Sequence, residues 1–231
     1  MKPDNFKVLY EDNHLIAVFK PGGWLVQGDA TGDKPLSDFV KEYIKVKYKK
    51  SGDVFLGVIH RLDRPVSGLV IFARTSKALS RMNELFREHK VKKTYFAIVE
   101  NRPKEIEGRL THYLVKDKEK NRARAFASKR TKDAKKSDLD YKLLASIASH
   151  HLLEVKPLTG RPHQIRVQLS KINTSIRGDL KYGSLNRNRG GFIHLHSHKL
   201  EFIHPVKKEP IEIRCYPPKE QLWDKFGNFI D

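Results

Sequence analysis

VFLGVIHRLDRPVSGLVIFART, residues 54–75, sets two β-rich runs on either side of a short polar loop. VFLGVIH (54–60) and SGLVIFART (67–75) are dense in Val, Ile and Phe, which suit a pleated, half-buried surface. The loop between them places Asp63 between Arg61 and Arg64. Nearby opposite charge favours the ionised form of a carboxylate. An ionised carboxylate on a basic surface repels phosphate, so this aspartate is either an ion-pair strut or a reactive group. Local charge alone leaves both open.

The same grammar extends outward. FKVLYED and LIAVFKPGG, separated by Asp12-Asn13, read as a hairpin that ends at Pro21-Gly22-Gly23. Leu36 to Lys50 has helical spacing at Leu36, Phe39, Val40, Tyr43 and Ile44, with Ser37 as the expected N-cap. Ser76 to Lys90 reads as an amphipathic helix with Leu79, Met82, Leu85 and Phe86 facing inward, and KKTYFAIVE (92–100) as a strand. HLLEVKPLTG is a further strand, and Arg161 to Ile172 a helix opening at Pro162, a favoured first-turn residue. HLHSHKLEFIHP and EPIEIRCYP supply two late strands, and KEQLWDKF a short last helix. Strands outnumber helices and short turns join several of them. The expected fold is α+β, a mostly antiparallel mixed sheet flanked by helices, rather than a doubly wound parallel sheet.

Composition narrows the class. With 231 residues and 39% hydrophobic content, the chain fits one domain or two closely joined subdomains with a real core. Lys and Arg number 46 against 27 Asp and Glu, a net charge of +19, which points to a polyanion partner such as nucleic acid. Residues 116–137 concentrate the excess, with Lys or Arg at 116, 118, 120, 122, 124, 129, 130, 132, 135 and 136 against acids at 117, 119 and 133. The alternating RARAFAS and the strand-like SDLDYKLLASI make this a basic hairpin rather than a solvated tail. No apolar run nears the ~18 residues of a membrane span, and MKPDNFKVLYEDNH lacks the apolar segment of a leader, so a cytoplasmic protein is expected. The single cysteine, Cys215, excludes an internal disulfide and a cysteine-rich zinc site.

Motifs exclude further chemistries. Neither GxxxxGKS/T nor GxGxxG occurs, so no nucleotide cradle is visible, and no GxSxG elbow supports a serine hydrolase. His194, His196, His198 and His204 invite a metal reading, but no third ligand has a convincing spacing, and no metal is expected. His89, His112 and the His150-His151 pair read as surface groups. GRPHQIR (160–166) gathers Arg161, His163, Gln164 and Arg166 at a helix start, where backbone N–H groups already favour an anion.

Taken together, five segments carry a specific resemblance. HRLDRPVSGL (60–69), KKTYFAIVE (92–100), LTGRPHQIRVQL (158–169), GDLKYG (178–183) and LHSHKLEFIHP (195–205) resemble, in that order, the RluA-type RNA pseudouridine synthases. The likeness runs from VLYEDNHLIAVFKPGG to IEIRCYP, nearly the whole chain. It implies one catalytic domain over 1–231 with a central RNA-binding catalytic cleft, isomerising uridine in structured ribosomal or transfer RNA to pseudouridine. It implies Asp63 as the essential catalytic residue, Tyr95 against the target base, and Arg166 paired with the catalytic carboxylate. Arg61 would enter the stack where the base has left, while His60, Arg64, Arg161, His163 and Gln164 would line the substrate. Flipping a base out costs about a few kcal/mol, and stacking on an aromatic such as Tyr95 returns ~1–3 kcal/mol. Isomerisation needs no metal and no cofactor, and a monomer is expected.

The chain departs from the family pattern in three ways. Arg64-Pro65-Val66 replaces a segment that ends in threonine before SGL in other members, and RVQL replaces RVHL. The expected domain has no N-terminal S4-like module, which would leave RNA affinity to the basic surface. Two other classes compete: a non-catalytic RNA-binding factor, which has no need of Asp63 with Tyr95 and Arg166, and a glycoside-type hydrolase, which needs a second acid that these motifs lack.

Overall fold

Val8–Glu11 (β1) and Leu15–Lys20 (β2) form the antiparallel hairpin expected at Asp12-Asn13. Asp12 Oδ1 accepts the N–H groups of His14 and Leu15, both at 2.8 Å, the side-chain mimicry that makes aspartate a turn residue. The computed structural model that supplies this geometry describes residues 7–117 and 119–230. The leader reading of residues 1–6 and the charge of Lys118 lie outside the described residues.

Leu36–Lys47 (α1) buries Leu36, Phe39, Val40 and Ile44, as the spacing requires. Its cap differs from the expectation: the N-cap is Pro35, without a side-chain bond, and Ser37 lies buried in the first turn. Backbone does the capping, since the N–H groups of Leu36 and Ser37 donate to the carbonyls of Leu25 and Val26. Of VFLGVIH only Gly57–Val58 (β3) is a strand, whereas Ser67–Ala73 (β4) is buried along its full length. That burial on both faces explains why LVIFA is continuously apolar rather than alternating. Ser76–Arg87 (α2) is capped by Thr75, whose Oγ1 accepts from Ala78 N–H at 3.2 Å. Met82 and Ala78 are buried in it, and Leu79, Leu85 and Phe86 pack against the core at half burial.

The remaining elements are Lys92–Val99 (β5), Glu107–Asp117 (β6), Arg122–Phe126 (β7), Lys135–Ile147 (β8), His150–Pro157 (β9), Gln164–Lys171 (α3), Leu195–Ile203 (β10), Pro210–Arg214 (β11) and Gln221–Lys225 (α4). The pairs β1/β2, β2/β4, β3/β4, β10/β11, β5/β9, β8/β9, β6/β8 and β6/β7 are all antiparallel. The protein is α+β with mostly antiparallel sheet, as expected. No helix among the described residues is long and apolar enough to cross a membrane.

The chain divides into two compact units, residues 1–92 with 197–216, and residues 93–196 with 217–231. In the first, the order β1-β2-β4-β10 carries β11 on β10 and β3 on β4. Its core joins Leu15 and Ala17, Leu69 and Ile71, Met82, and Leu200 and Phe202. In the second, the order is β5-β9-β8-β6-β7. Its two clusters are Phe96, Ile98 and Leu152 with Trp223 and Phe226, and Leu114, Ala123 and Ala125 with Val167 and Tyr182.

Candidate active site

Four of the nine candidate residues (His60, Arg61, Asp63 and Arg64) lie in the first unit, on the loop into β4. His60 is half-buried and anchors this loop: its Nε2 accepts from Ile71 N–H at 3.1 Å and its ring stacks on Phe86. An accepting Nε2 leaves the neutral ring's proton on Nδ1. Asp63 is half-buried, and its carbonyl takes Val66 N–H at 3.0 Å to close a turn. Arg61 is exposed. Arg64 reaches across the surface, donating from Nε to Gly23 O at 3.0 Å and from Nη2 to Asp33 Oδ2 at 2.5 Å.

Beneath the loop lies a lysine that the motifs alone do not single out. Lys20, fully buried at the end of β2, donates from Nζ to the carbonyls of Pro21 (2.9 Å), Trp24 (2.7 Å) and Arg64 (3.0 Å). Three acceptors match the three N–H bonds of an ammonium. Burial pushes its pKa down to about 7, while the charge of Asp63 acts in the opposite direction. A lysine amino group is thus fixed under the backbone that carries Asp63. Its one signal in the sequence is phase, since Lys20 falls on the β2 face of the fully buried Ile16 and Val18. Further along, Gly68 has φ +121° and packs against Ser197, whose backbone a Cβ would strike. Only glycine fits there.

The other five (Tyr95, Arg161, His163, Gln164 and Arg166) lie in the second unit. Tyr95 is half-buried on β5, opposite Val155 of β9. Two residues earlier, Lys93 places Nζ 3.4 Å from Thr159 O, and burial lowers its pKa. The helix expected from Pro162 starts instead at Gln164, because His163 is its N-cap in the left-handed region, φ 55°. Arg161 is exposed ahead of it. Gln164 is buried and spends its amide on the protein: Oε1 accepts from Thr159 Oγ1 (2.7 Å) and Arg161 N–H (3.0 Å), and Nε2 donates to Asp138 O (3.0 Å). It shapes the 159–161 turn.

Arg166 has a partner that the sequence pattern does not name. Its Nε and Nη2 donate to the two oxygens of Asp179 at 2.7 and 2.8 Å, a buried two-point pair. Tyr182, three residues on in GDLKYG, is buried with its ring centre 5.0 Å from the Arg166 guanidinium. Its hydroxyl lies 2.8 Å from His163 Nδ1 and takes Ala123 N–H at 2.7 Å. Asp179 and Tyr182 therefore hold Arg166 and His163 from one short segment. Gln168 is fully buried, donating to Leu110 O and Ser137 O.

The histidines that invite a metal reading have protein partners. His194 Nε2 lies 3.0 Å from Glu220 Oε2, His198 Nδ1 bonds Cys215 O, and His204 Nδ1 accepts from the N–H groups of Val206 and Lys207. Among the described residues, no group of three or more His, Cys, Asp or Glu is placed to hold a metal. His112 is half-buried 3.2 Å from Gln168 Nε2 rather than a free surface group. Cys215 is buried, and its thiol is pushed up to about 12 by that burial, which keeps it a thiol.

The RNA pseudouridylate synthase family model matches residues 14–171. A tRNA pseudouridine synthase C of Vibrio parahaemolyticus is 34% identical over 93% of this chain and 92% of its own length. A ribosomal large subunit pseudouridine synthase D of Borreliella burgdorferi is 32% identical over 87% of this chain and 63% of its own. The solved structure of human RNA pseudouridylate synthase domain containing 4 aligns over 92% of this chain and 88% of its own, with a TM-score of 0.75 and 26% identity. The match takes in the Asp63 loop, the Tyr95 strand and the GRPHQIR turn, and the chain belongs to the RNA pseudouridylate synthase family, of the RluA type.

Proposed function

We propose that this chain converts uridine to pseudouridine in structured transfer RNA, with Asp63 as the catalytic carboxylate. The reaction breaks the N1–C1′ glycosidic bond, rotates the uracil and joins C5 to C1′. The C5 proton leaves and N1 gains one, so no redox partner is needed. The target base is flipped out, Arg61 fills the gap in the stack, and Tyr95 stacks on the uracil. Arg166 is a buried cation, fixed by Asp179. Arg64, Arg161 and His163 contact the RNA, and His60 and Gln164 set the shape of the loops that carry them. Residues 1–231 act as one catalytic domain, a monomer in the cytoplasm, without metal or cofactor.

The observation that carries the reading is Asp63 on a loop whose backbone is gripped by a buried lysine, in a chain with a large positive excess. Transfer RNA is preferred because several relatives named for it match this chain nearly end to end. Pseudouridine mapping in tRNA and rRNA, from cells with and without the gene, tests it. The expected result is loss of one or a few tRNA positions, restored by the parent gene. Loss confined to rRNA overturns the choice of substrate, and no loss in either overturns the reading.

A further inference from the structure

In the second unit, β7 and α3 enclose a groove of about 620 Å³, lined by Asp117, Lys120, Arg122, Arg124, Lys171 and Tyr182 among others. Its size lies within the ~300–1,000 Å³ of ordinary ligand clefts. Four cations against one carboxylate leave it at +3.

The strand's alternation builds this groove. Ala123 and Ala125 are buried against Val167 and Tyr182, while Arg122 and Arg124 stay exposed. β7 ends the strand order of its unit, so the arginines stand on a sheet edge. The Arg122 guanidinium lies over the Tyr182 ring, 5.3 Å from its centre. This cation–π contact fixes it before any ligand arrives. Lys181 Nζ donates to Asn121 O at 3.1 Å and Asp117 Oδ1 accepts Lys120 N–H at 3.0 Å, so both sides of the turn into β7 are tied down. Asp117 meets Arg124 at only 3.8 Å, a loose exposed contact that a phosphate could replace at little cost.

We propose that this groove docks the sugar–phosphate backbone of the RNA substrate, with Lys120, Arg122, Arg124 and Lys171 each taking a phosphate. The proposal rests on the RNA reading above. Tyr182 supports Arg122 and also holds Arg166 and His163, so a backbone gripped here is in register with helix α3. The interaction is with phosphate, carries no base information, and sets position rather than sequence choice.

The test is equilibrium binding of an unmodified tRNA transcript across a salt series. The parent is compared with the double variants Arg122→Gln/Lys171→Gln and Lys120→Gln/Arg124→Gln. A third, Lys142→Gln/Lys156→Gln, removes the same charge from exposed positions on β8 and β9. Both groove variants should bind about tenfold more weakly at moderate salt, with the log–log salt slope smaller by about 2, one per phosphate contact. The β8/β9 variant should keep the parent's slope. Lys120→Gln/Arg124→Gln leaves the Tyr182 contact intact, so it reads the groove even if loss of Arg122 disturbs the fold. Unchanged slopes in the groove variants, or an equal drop in all three, overturn the proposal. Pseudouridine is scored in the same samples: a parent that forms none sinks the transfer RNA reading, whereas product with parent-like binding by the groove variants sinks only the groove.

Discussion

Lys20 brings a charge into a place where water cannot follow, and its three carbonyl partners are what make that tolerable. The consequence is a pH dependence with a definite sign. The folded lysine titrates at about 7 against 10.5 for the free side chain, so between those values the unfolded chain holds a proton that the folded chain has shed. Stability then rises with pH across that window, and the cost of the buried charge is fully present below it. Lys20→Met keeps the volume and removes the titration. Urea midpoints at pH 7 and about 9.5 should show the parent gaining up to about 3 kcal/mol more than the variant on going to the higher pH. Equal pH dependence in the two proteins would mean that Lys20 does not shed its proton in this range. Asp179 teaches a related lesson about legibility: GDLKYG is visible as a motif, but spacing alone cannot say that its aspartate closes on Arg166, thirteen residues earlier.

Among the elements, β4 follows most directly from its residues. Its apolar run is continuous because it is buried on both faces, and Gly68 gives it a backbone that no L side chain adopts easily. Gly68→Ala adds both φ strain and a collision with the Ser197 backbone, so a loss of about 3 kcal/mol or more in chemical denaturation is expected. A loss below about 1 kcal/mol would show that the strand shifts freely. Helix ends were less legible than helix interiors. The apolar spacing of α1 and α2 located both, but Ser37 was displaced from the cap because loop carbonyls of Leu25 and Val26 take the first N–H groups. Likewise α3 starts after Pro162 because His163 turns left-handed, a tertiary effect with its hydroxyl partner nineteen residues away in Tyr182. VFLGVIH gives up most of its strand because its end is a loop anchored by His60 on Ile71 and Phe86.

At the scale of the whole molecule, the strand-rich patterning made an α+β fold legible in the sequence, and the +19 charge with the five ordered motifs made an RNA pseudouridylate synthase legible. What patterning could not supply is the support beneath the motifs, namely Lys20 under the Asp63 loop and Asp179 with Tyr182 around Arg166. Those contacts join residues far apart in the chain, and each side chain is unremarkable in its own window. The proposed reaction depends on one carboxylate, Asp63. The most direct measurement is single-turnover pseudouridine formation by Asp63→Asn on a tRNA substrate, with RNA binding measured alongside. Product formation should be slowed by at least about 10⁴-fold, the order seen when a reacting group is lost, with RNA affinity within about threefold of the parent. Isomerisation by Asp63→Asn at the parent's rate would contradict the proposal.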